Sequence, residues 1–154
     1  MAVRANALLF WAGLLAGIVA GAAADAEDLV TFRVVNGAIP EPLTDSPGNP
    51  GRGRLIVRDL ARATCLICHV MPIPEEPDHG EIGPALAGVG SRYTPGQLRL
   101  RLVDPKSINP QTIMPSYYRI ANLLRVREPF RDQPIYSAQQ IEDVVAYLAS
   151  LKDN

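Results

Sequence analysis

Residues 64–69 of the chain read Thr-Cys-Leu-Ile-Cys-His, and the fold depends on this short stretch. Cys65 and Cys68 are the only 2 cysteines of the chain, and His69 follows the second one directly. Residues three apart share one face of a helical turn, so both sulfurs can reach neighbouring groups of one planar ligand. A disulfide over so short a loop would constrain little of the unfolded chain. The spacing therefore indicates a covalently attached prosthetic group.

Two other sites use the same residue types. A thioredoxin-like dithiol would need a strand before Cys65, and a zinc site would need four ligands. The segment before Cys65 is predicted to be helical, and the only other histidine, His79, lies among acidic residues. We therefore expect one haem c, held by thioether bonds to Cys65 and Cys68, with His69 as an axial ligand of the iron.

The amino-terminal residues indicate export. Residues 7–23 carry no charge and follow Arg4, and small residues such as Ala22, Ala24 and Ala26 end the run. This pattern is typical of a secretory signal peptide over residues 1–26, cleaved after Ala24 or Ala26, and it predicts a periplasmic protein with no stable membrane insertion after cleavage. An uncleaved membrane anchor is the alternative.

Composition limits the function classes. The chain has 154 residues, 47% of them hydrophobic, and a formal net charge of −1. These values are typical of one globular domain and exclude a disordered chain, and they give no indication of a nucleic-acid partner.

The rest of the chain predicts an all-α domain behind an extended arm. Residues 27–48 combine a β-leaning run with several prolines and form the arm, and residues 49–154 form the domain. Asn49 and Pro50 begin a first helix that leads to Cys65. Its apolar residues Leu55, Ile56, Leu60 and Ala63 fall on one side, and Gly51 and Gly53 would let another helix approach.

The second half of the chain predicts two more helices. Residues 71–91 are rich in proline, glycine and acidic residues and predict a surface loop. Leucine and arginine alternate over residues 98–102 as in a strand, but Thr94 and Pro95 favour a helix. Ser137 and the glutamine three residues later predict a capped final helix. Three helices are too few for a dense protein core, so a buried cofactor is expected at the centre.

The sixth iron ligand decides whether the iron transfers electrons or binds a substrate. Met71, His79, Lys106 and Met114 are the candidates. Met71 lies too close to His69 to reach the other haem face without strain. Met114 lies far downstream between two prolines, which can hold its sulfur over the ring, so we expect Met114. Histidine and methionine together fill both axial positions and favour electron transfer.

Further residues are candidates for contacts around the haem. A carbonyl acceptor must fix the tautomer of His69, and Pro84, in the segment 82–86, is the predicted one, although a plain turn is equally compatible. Tyr117 and Tyr118 could bond a haem propionate or simply pack. The charged residues of the segment 92–127 are all basic except Asp104, and they could steer acidic partners or form an ordinary solvated surface.

Taken together, these motifs resemble the class I cytochromes c. The shared pattern runs over residues 49–151 and comprises the haem motif, the Gly83-Pro84 loop, the Val-Asp-Pro at 103–105, Met114 and the last helix. A closer resemblance is to the SoxX family of bacterial sulfur oxidation. It rests on QLRLRLVD at 97–104, TIMPSYYR at 112–119 and AQQIEDVVAYL at 138–148.

The resemblance implies a function beyond what spacing shows. SoxX cytochromes pair with a larger haem subunit, SoxA, in an enzyme complex of the L-cysteine S-thiosulfotransferase type. It conjugates thiosulfate to a cysteine of a carrier protein and passes electrons to a downstream cytochrome. Catalysis then belongs to the partner, and this chain has no catalytic residue of its own. A free cytochrome that shuttles electrons between a periplasmic dehydrogenase and an oxidase, and a haem sensor with an open sixth position, are the alternatives.

Overall fold

A computed structural model describes residues 29–153, so the predicted signal peptide lies outside the described residues. The α-helices of this part are α1 Pro50–Ile56, α2 Val89–Arg92, α3 Pro95–Val103 and α4 Ala138–Ser150. Three 3-10 turns join them, at Cys65–Ile67, Pro105–Ser107 and Glu128–Phe130. Between residues 29 and 153 the β-structure is limited to an isolated bridge from Val35 to Ala38. The predicted all-α class is confirmed.

Helix α4 is the centre of the packing. Its amino terminus has the predicted capping box, in which the Ser137 side chain accepts from the Gln140 N–H and the Gln140 side chain accepts from the Ser137 N–H. Its apolar side chains Ile141, Val144, Val145 and Leu148 are buried. Helices α1, α2 and α3 all contact it. In the part of the chain that is described, none of the helices has the length and apolar character needed to span a bilayer.

Helix α3 forms where the alternation of leucine and arginine suggested a strand. Thr94 caps it in a second capping box, with Gln97, and Pro95 occupies its first turn, as predicted. The alternation misleads because both kinds of residue are buried: Leu98 is 2% exposed and Arg99 is 4% exposed. The guanidinium of Arg99 is buried against Glu142 of α4, so the polar positions do not mark a solvent face.

Helix α1 is shorter than the sequence suggests. Asn49 caps it as predicted, since its side chain accepts from the Arg52 N–H, but the helix ends at Ile56. Turns follow, and the Cys65 N–H and the Thr64 hydroxyl both donate to the Val57 carbonyl, at 3.0 and 2.7 Å. The expected common apolar side is wrong, because Leu55 is 64% and Leu60 is 77% exposed. Leu60 lies beyond the end of the helix, where its periodicity no longer applies, and within the helix Gly53 rather than Leu55 packs against α4.

The amino-terminal arm is tied to the helices. Residues 29–48 contain no helix, and Ile39 and Leu43 insert into the core. The Ile39 N–H donates to the Gly96 carbonyl at 3.0 Å, and the Leu43 N–H donates to the Glu142 carboxylate at 2.9 Å. These bonds hold the arm against α3 and α4.

The predicted surface loop at 71–91 is only partly a surface loop. Met71 and Ile73 are buried, and the loop ends in helix α2, which the sequence analysis did not predict. Glu75 forms ion pairs with Arg54 and Arg58, so the acidic residues contact the first helix and the turn after it.

Candidate haem-binding site

The cysteine motif forms a tight turn that ends in the histidine. The Thr64 hydroxyl accepts from the Leu66 N–H at 3.2 Å and caps the 3-10 turn Cys65–Ile67. The Cys68 and His69 N–H groups both donate to the Cys65 carbonyl, at 3.1 and 2.9 Å. The turn therefore places the two sulfurs and the imidazole within one short segment. Cys65 is buried and Cys68 is half-buried.

The imidazole of His69 has a defined orientation. Its Nδ1 lies 2.7 Å from the Pro84 carbonyl oxygen, the acceptor expected from the sequence. A carbonyl can only accept, so Nδ1 carries the proton and Nε2 keeps its lone pair. The Gly83 N–H donates to the Cys68 carbonyl at 2.7 Å and holds the loop in place. This arrangement leaves Nε2 as the nitrogen that can bind iron.

Gly83 is a functional residue that sequence reasoning missed. A methyl group at its α-carbon would lie 2.3 Å from Cε1 and 2.6 Å from Nδ1 of His69. Only glycine therefore permits the loop to approach the ring so closely. The Gly-Pro pair did mark this segment, but as a turn.

Most of the predicted site residues line one cavity, which has a volume of about 360 Å³. His69, Met114, Cys65, Pro84 and Tyr117 all line it. Its other walls are mostly apolar, and they include Leu86, Val89, Leu98, Leu102, Pro105, Ile108 and Leu148. Cys68 does not line this cavity. A nitrogen and a thioether sulfur facing one apolar space match the ligands of a low-spin electron-transfer haem.

The other candidates for the sixth ligand lie elsewhere. Met71 is 4% exposed within the protein core, and its N–H donates to Nδ1 of His79 at 3.2 Å. The ammonium of Lys106 donates to the Thr112 carbonyl at 2.7 Å. None of these three residues lines the cavity, whereas Met114 does.

Tyr117 lies between the cysteine turn and the methionine loop. Its ring stacks on that of Tyr136, with centroids 4.8 Å apart and an interplanar angle of 11°. Its hydroxyl forms a hydrogen bond with the Cys65 side chain, and burial raises the pKa of both groups. Tyr118 instead turns toward the arm, where its hydroxyl accepts from the Val30 N–H at 2.8 Å. The two adjacent tyrosines thus have different neighbours.

The pKa of Cys65 bears on the dithiol alternative. Burial raises the pKa of this thiol to about 12, and the hydrogen bond with Tyr117 only partly opposes the shift. A redox-active dithiol needs a thiolate, and therefore a pKa near or below neutrality. A buried Cys65 thiol therefore does not fit the nucleophile of a redox-active dithiol.

Two arginines of the basic segment 92–127 lie at the cavity. Arg92 and Arg101 both line it. Arg92 donates to the Ala85 and Ala87 carbonyls, at 2.8 and 2.7 Å, and the Arg101 guanidinium lies 3.7 Å from the centre of the Tyr93 ring. Cationic groups on an otherwise apolar cavity suit a cofactor that carries carboxylates. The donor set and walls together fit a covalent haem c.

Comparison with known proteins agrees with this fit. The family profile for cytochrome c matches residues 57–152. A chain of the crystal structure of SoxXA from P. pantotrophus superimposes with a TM-score of 0.73 and 37% sequence identity, over 79% of this chain and 95% of that chain. The comparison with curated proteins gave no match. Cys65 and Cys68 fit the haem c attachment motif of cytochromes c. The chain therefore belongs to the cytochrome c family and, within that family, is SoxX-like.

Proposed function

We propose that this chain is the electron-transfer haem subunit of a periplasmic complex that oxidises thiosulfate, with a larger haem subunit of the SoxA type as its partner. The observation that carries this proposal is that Cys65, His69 and Met114 all line one cavity. The likeness to a SoxXA chain supports the choice of complex over other electron-transfer systems.

The residues of this chain prepare a site for one-electron transfer. When bound, the haem supplies reversible one-electron chemistry, and methionine ligation favours its reduced form. His69, fixed by Pro84, offers Nε2, and Met114 offers its sulfur. Cys65 and Cys68 provide the thioether links. The apolar walls would exclude water from a bound haem, and with both His69 and Met114 holding its iron there would be no position for oxygen or peroxide.

The proposed reaction of the complex requires such an electron acceptor. A carrier thiol and thiosulfate form a sulfur–sulfur bond with loss of one proton and two electrons. Each electron must leave singly through a haem. The chemistry is assigned to the partner, because this chain shows no activated nucleophile among its described residues. Cys65 and Cys68 serve the haem, and Nδ1 of His79 is already an acceptor for the Met71 N–H.

Substitution of Met114 tests the ligand assignment. Met114→Leu should abolish the sulfur-to-iron charge-transfer band at the red end of the ferric spectrum, lower the reduction potential and allow carbon monoxide to bind. Met71→Leu is the matched control, since Met71 is buried but does not line the cavity. A Met114→Leu spectrum identical to that of the parent would refute the assignment.

Co-expression tests the complex. The chain, produced together with the larger haem subunit from the same organism, should purify as a stoichiometric heterodimer that reduces its haems when thiosulfate and the carrier protein are added. Purification as a monomer with a carbon monoxide-resistant haem would favour a free shuttle. A parent protein that binds carbon monoxide would favour a haem sensor.

A further inference from the structure

The loop that carries Met114 has little support from the core. It runs between Pro105 and Ser116, which are both buried. Every residue from 106 to 115 is half-buried or exposed, and Ile113, next to the methionine, is 76% exposed. Met114 itself packs against the core only in part. The position of this methionine loop therefore depends strongly on the contacts at its two ends.

Hydrogen bonds inside the methionine loop give it a defined shape. The Lys106 ammonium donates to the Thr112 carbonyl at 2.7 Å, and the Met114 N–H donates to the Thr112 hydroxyl oxygen at 3.2 Å. The Thr112 N–H donates in turn to the Asn109 carbonyl at 3.0 Å. All of these partners belong to the loop, so the bonds would move with it and do not tie it to the helices.

Two contacts close the methionine loop at its base. The Tyr117 N–H donates to the Leu102 carbonyl at 2.9 Å, and Nη1 of Arg119 donates to Oδ2 of Asp104 at 3.1 Å. Each contact joins the end of α3 to the segment that follows the loop. The side chains of Arg119 and Asp104 are 28% and 18% exposed, so solvent and salt screen this ion pair less than a fully exposed one.

The ion pair also has an unused donor and an unused acceptor. Nε of Arg119 and Oδ1 of Asp104 are buried, and neither has a hydrogen-bond partner in the part of the chain that the structure describes. A bidentate arginine–carboxylate pair bonds through two nitrogens and both oxygens. A small movement that brings these two atoms together would therefore add a second bond. Because unmatched buried polar atoms are costly, the closed form of the pair is favoured.

We propose that Asp104 and Arg119 are positioning residues, which close the base of the methionine loop and thereby hold the Met114 sulfur at the iron. The inference rests on the proposed ligation by Met114 and adds the residues that control how easily this ligand leaves. Neither Asp104 nor Arg119 lines the cavity, so they act only through the loop. When the pair is broken, the loop can move away and an added ligand can reach the sixth position.

Imidazole binding to the purified ferric haem protein tests the inference, because imidazole can bind only after the methionine leaves. Arg119→Gln and Asp104→Asn should each raise the affinity for imidazole about threefold, the size expected for a partly shielded ion pair. The double variant should show no larger effect than either single one, because the second substitution has no pair left to break. Arg52→Gln is the matched control, since Arg52 forms an ion pair with Asp143 and does not line the cavity, and it should bind imidazole as the parent does.

Three results would overturn the inference: parental affinity for imidazole in both single variants, an equal rise for Arg52→Gln, or additive effects in the double variant. An equal rise would assign the effect to a general loss of stability, and additive effects would mean that the two residues act separately. Failure of the proposed function is a separate outcome. In that case the Met114→Leu spectrum is unchanged, whereas failure of the positioning role leaves the loss of the charge-transfer band in Met114→Leu intact.

Discussion

His69 keeps its orientation because two features of the loop at 83–84 confine its ring. The Pro84 carbonyl accepts from Nδ1 at 2.7 Å, and the backbone of Gly83 packs closely against Cε1 and Nδ1 of the ring. A hydrogen bond to the backbone also raises the basicity of the liganding nitrogen. Pro84 would thus strengthen the proposed His69 ligand without contacting the iron.

Gly83→Ala should displace the imidazole. The new methyl group would lie 2.3 Å from Cε1, and relief of such a contact typically costs about 1–3 kcal/mol. We expect an altered ferrous absorption spectrum and a shifted reduction potential, measured on the purified haem protein. Ile82→Ala, at a neighbouring side chain that is 66% exposed, should leave both unchanged. Equal spectra for Gly83→Ala and the parent would contradict the steric argument.

At the scale of helices, one glycine of α1 permits its close approach to α4, and Gly48, just before the helix, lies equally close to the Glu142 carbonyl. A methyl group at Gly53 would lie 2.0 Å from the Asp143 carbonyl oxygen and 2.8 Å from Cβ of Tyr147. Gly51, on the same helix, would bring a methyl group near only the Asn49 side chain, at 3.1 Å. The sequence suggested both glycines as points of close approach, and only Gly53 is one.

Gly53→Ala should therefore destabilise the protein by about 1–3 kcal/mol, because α1 must move away from α4. Gly51→Ala, the control, should be neutral or stabilising by up to about 1 kcal/mol, since alanine favours a helix. Thermal unfolding of the two haem proteins measures the difference. Similar melting temperatures for the two variants would show that α1 can move away from α4 with little loss of stability.

The arm is held by a buried ion pair between helices α3 and α4. Arg99 donates to both oxygens of Glu142, at 2.7 and 2.8 Å, and to the Ile39 carbonyl at 2.6 Å. Glu142 also accepts from the Leu43 N–H. Both side chains are about 5% exposed or less. The pair therefore joins three parts of the chain that are distant in sequence.

Glu142→Gln should cost about 3–5 kcal/mol, because the substitution keeps an acceptor for Leu43 but leaves the Arg99 charge buried without its counter-ion. Limited proteolysis should in addition cut the arm near residues 39–43 sooner than in the parent. Glu41→Gln, at an exposed position of the arm, is the control. If Glu142→Gln lowers the free energy of unfolding by less than about 1 kcal/mol, water must reach the Arg99 guanidinium in the variant.

At the scale of the whole molecule, acidic side chains link stability to pH. Burial opposes ionisation of Asp143, but hydrogen bonds from Arg52, the Asn49 N–H and Gln139 outweigh it and hold the pKa of this carboxyl below its usual range. A hydrogen bond from Arg54 likewise lowers the pKa of Glu75. A lowered folded-state pKa means that the unfolded chain takes up protons more readily.

Stability should therefore be greatest above the unfolded-state pKa of about 4 and fall as the pH drops through the lower folded-state values. Asp143→Asn should have a lower melting temperature than the parent at pH 6. Its melting temperature should fall less than that of the parent when the pH is lowered to 3. Melting temperatures of the haem protein at pH 3, 4, 5 and 6 measure this. If the melting temperatures of parent and variant fall in parallel, Asp143 is excluded as a source of the pH dependence. Asp45→Asn serves as the control at an exposed position.

Local patterns predicted much of the fold. The caps at Asn49, Thr94 and Ser137 begin three helices where expected, because a cap and its partner lie within one turn of chain. The cysteine motif likewise carries its information within five residues. The predictions that were wrong concerned burial. Leu60, for example, was expected on the apolar side of the first helix and is exposed. Burial depends on neighbours that are distant in sequence.

The sequence by itself determined the attachment motif, the cytochrome c family and the positions of the main helices, because each is indicated by short motifs whose own residues are close together along the chain. Only the tertiary structure decided which residues meet around the cavity, that Arg99 is buried against Glu142, and that Gly83 confines His69. It also brought Ser116, Arg125 and Arg127 to the same surface opening as Met114. These contacts arise when α1, α3 and the arm pack against α4, and no local preference of the chain specifies them.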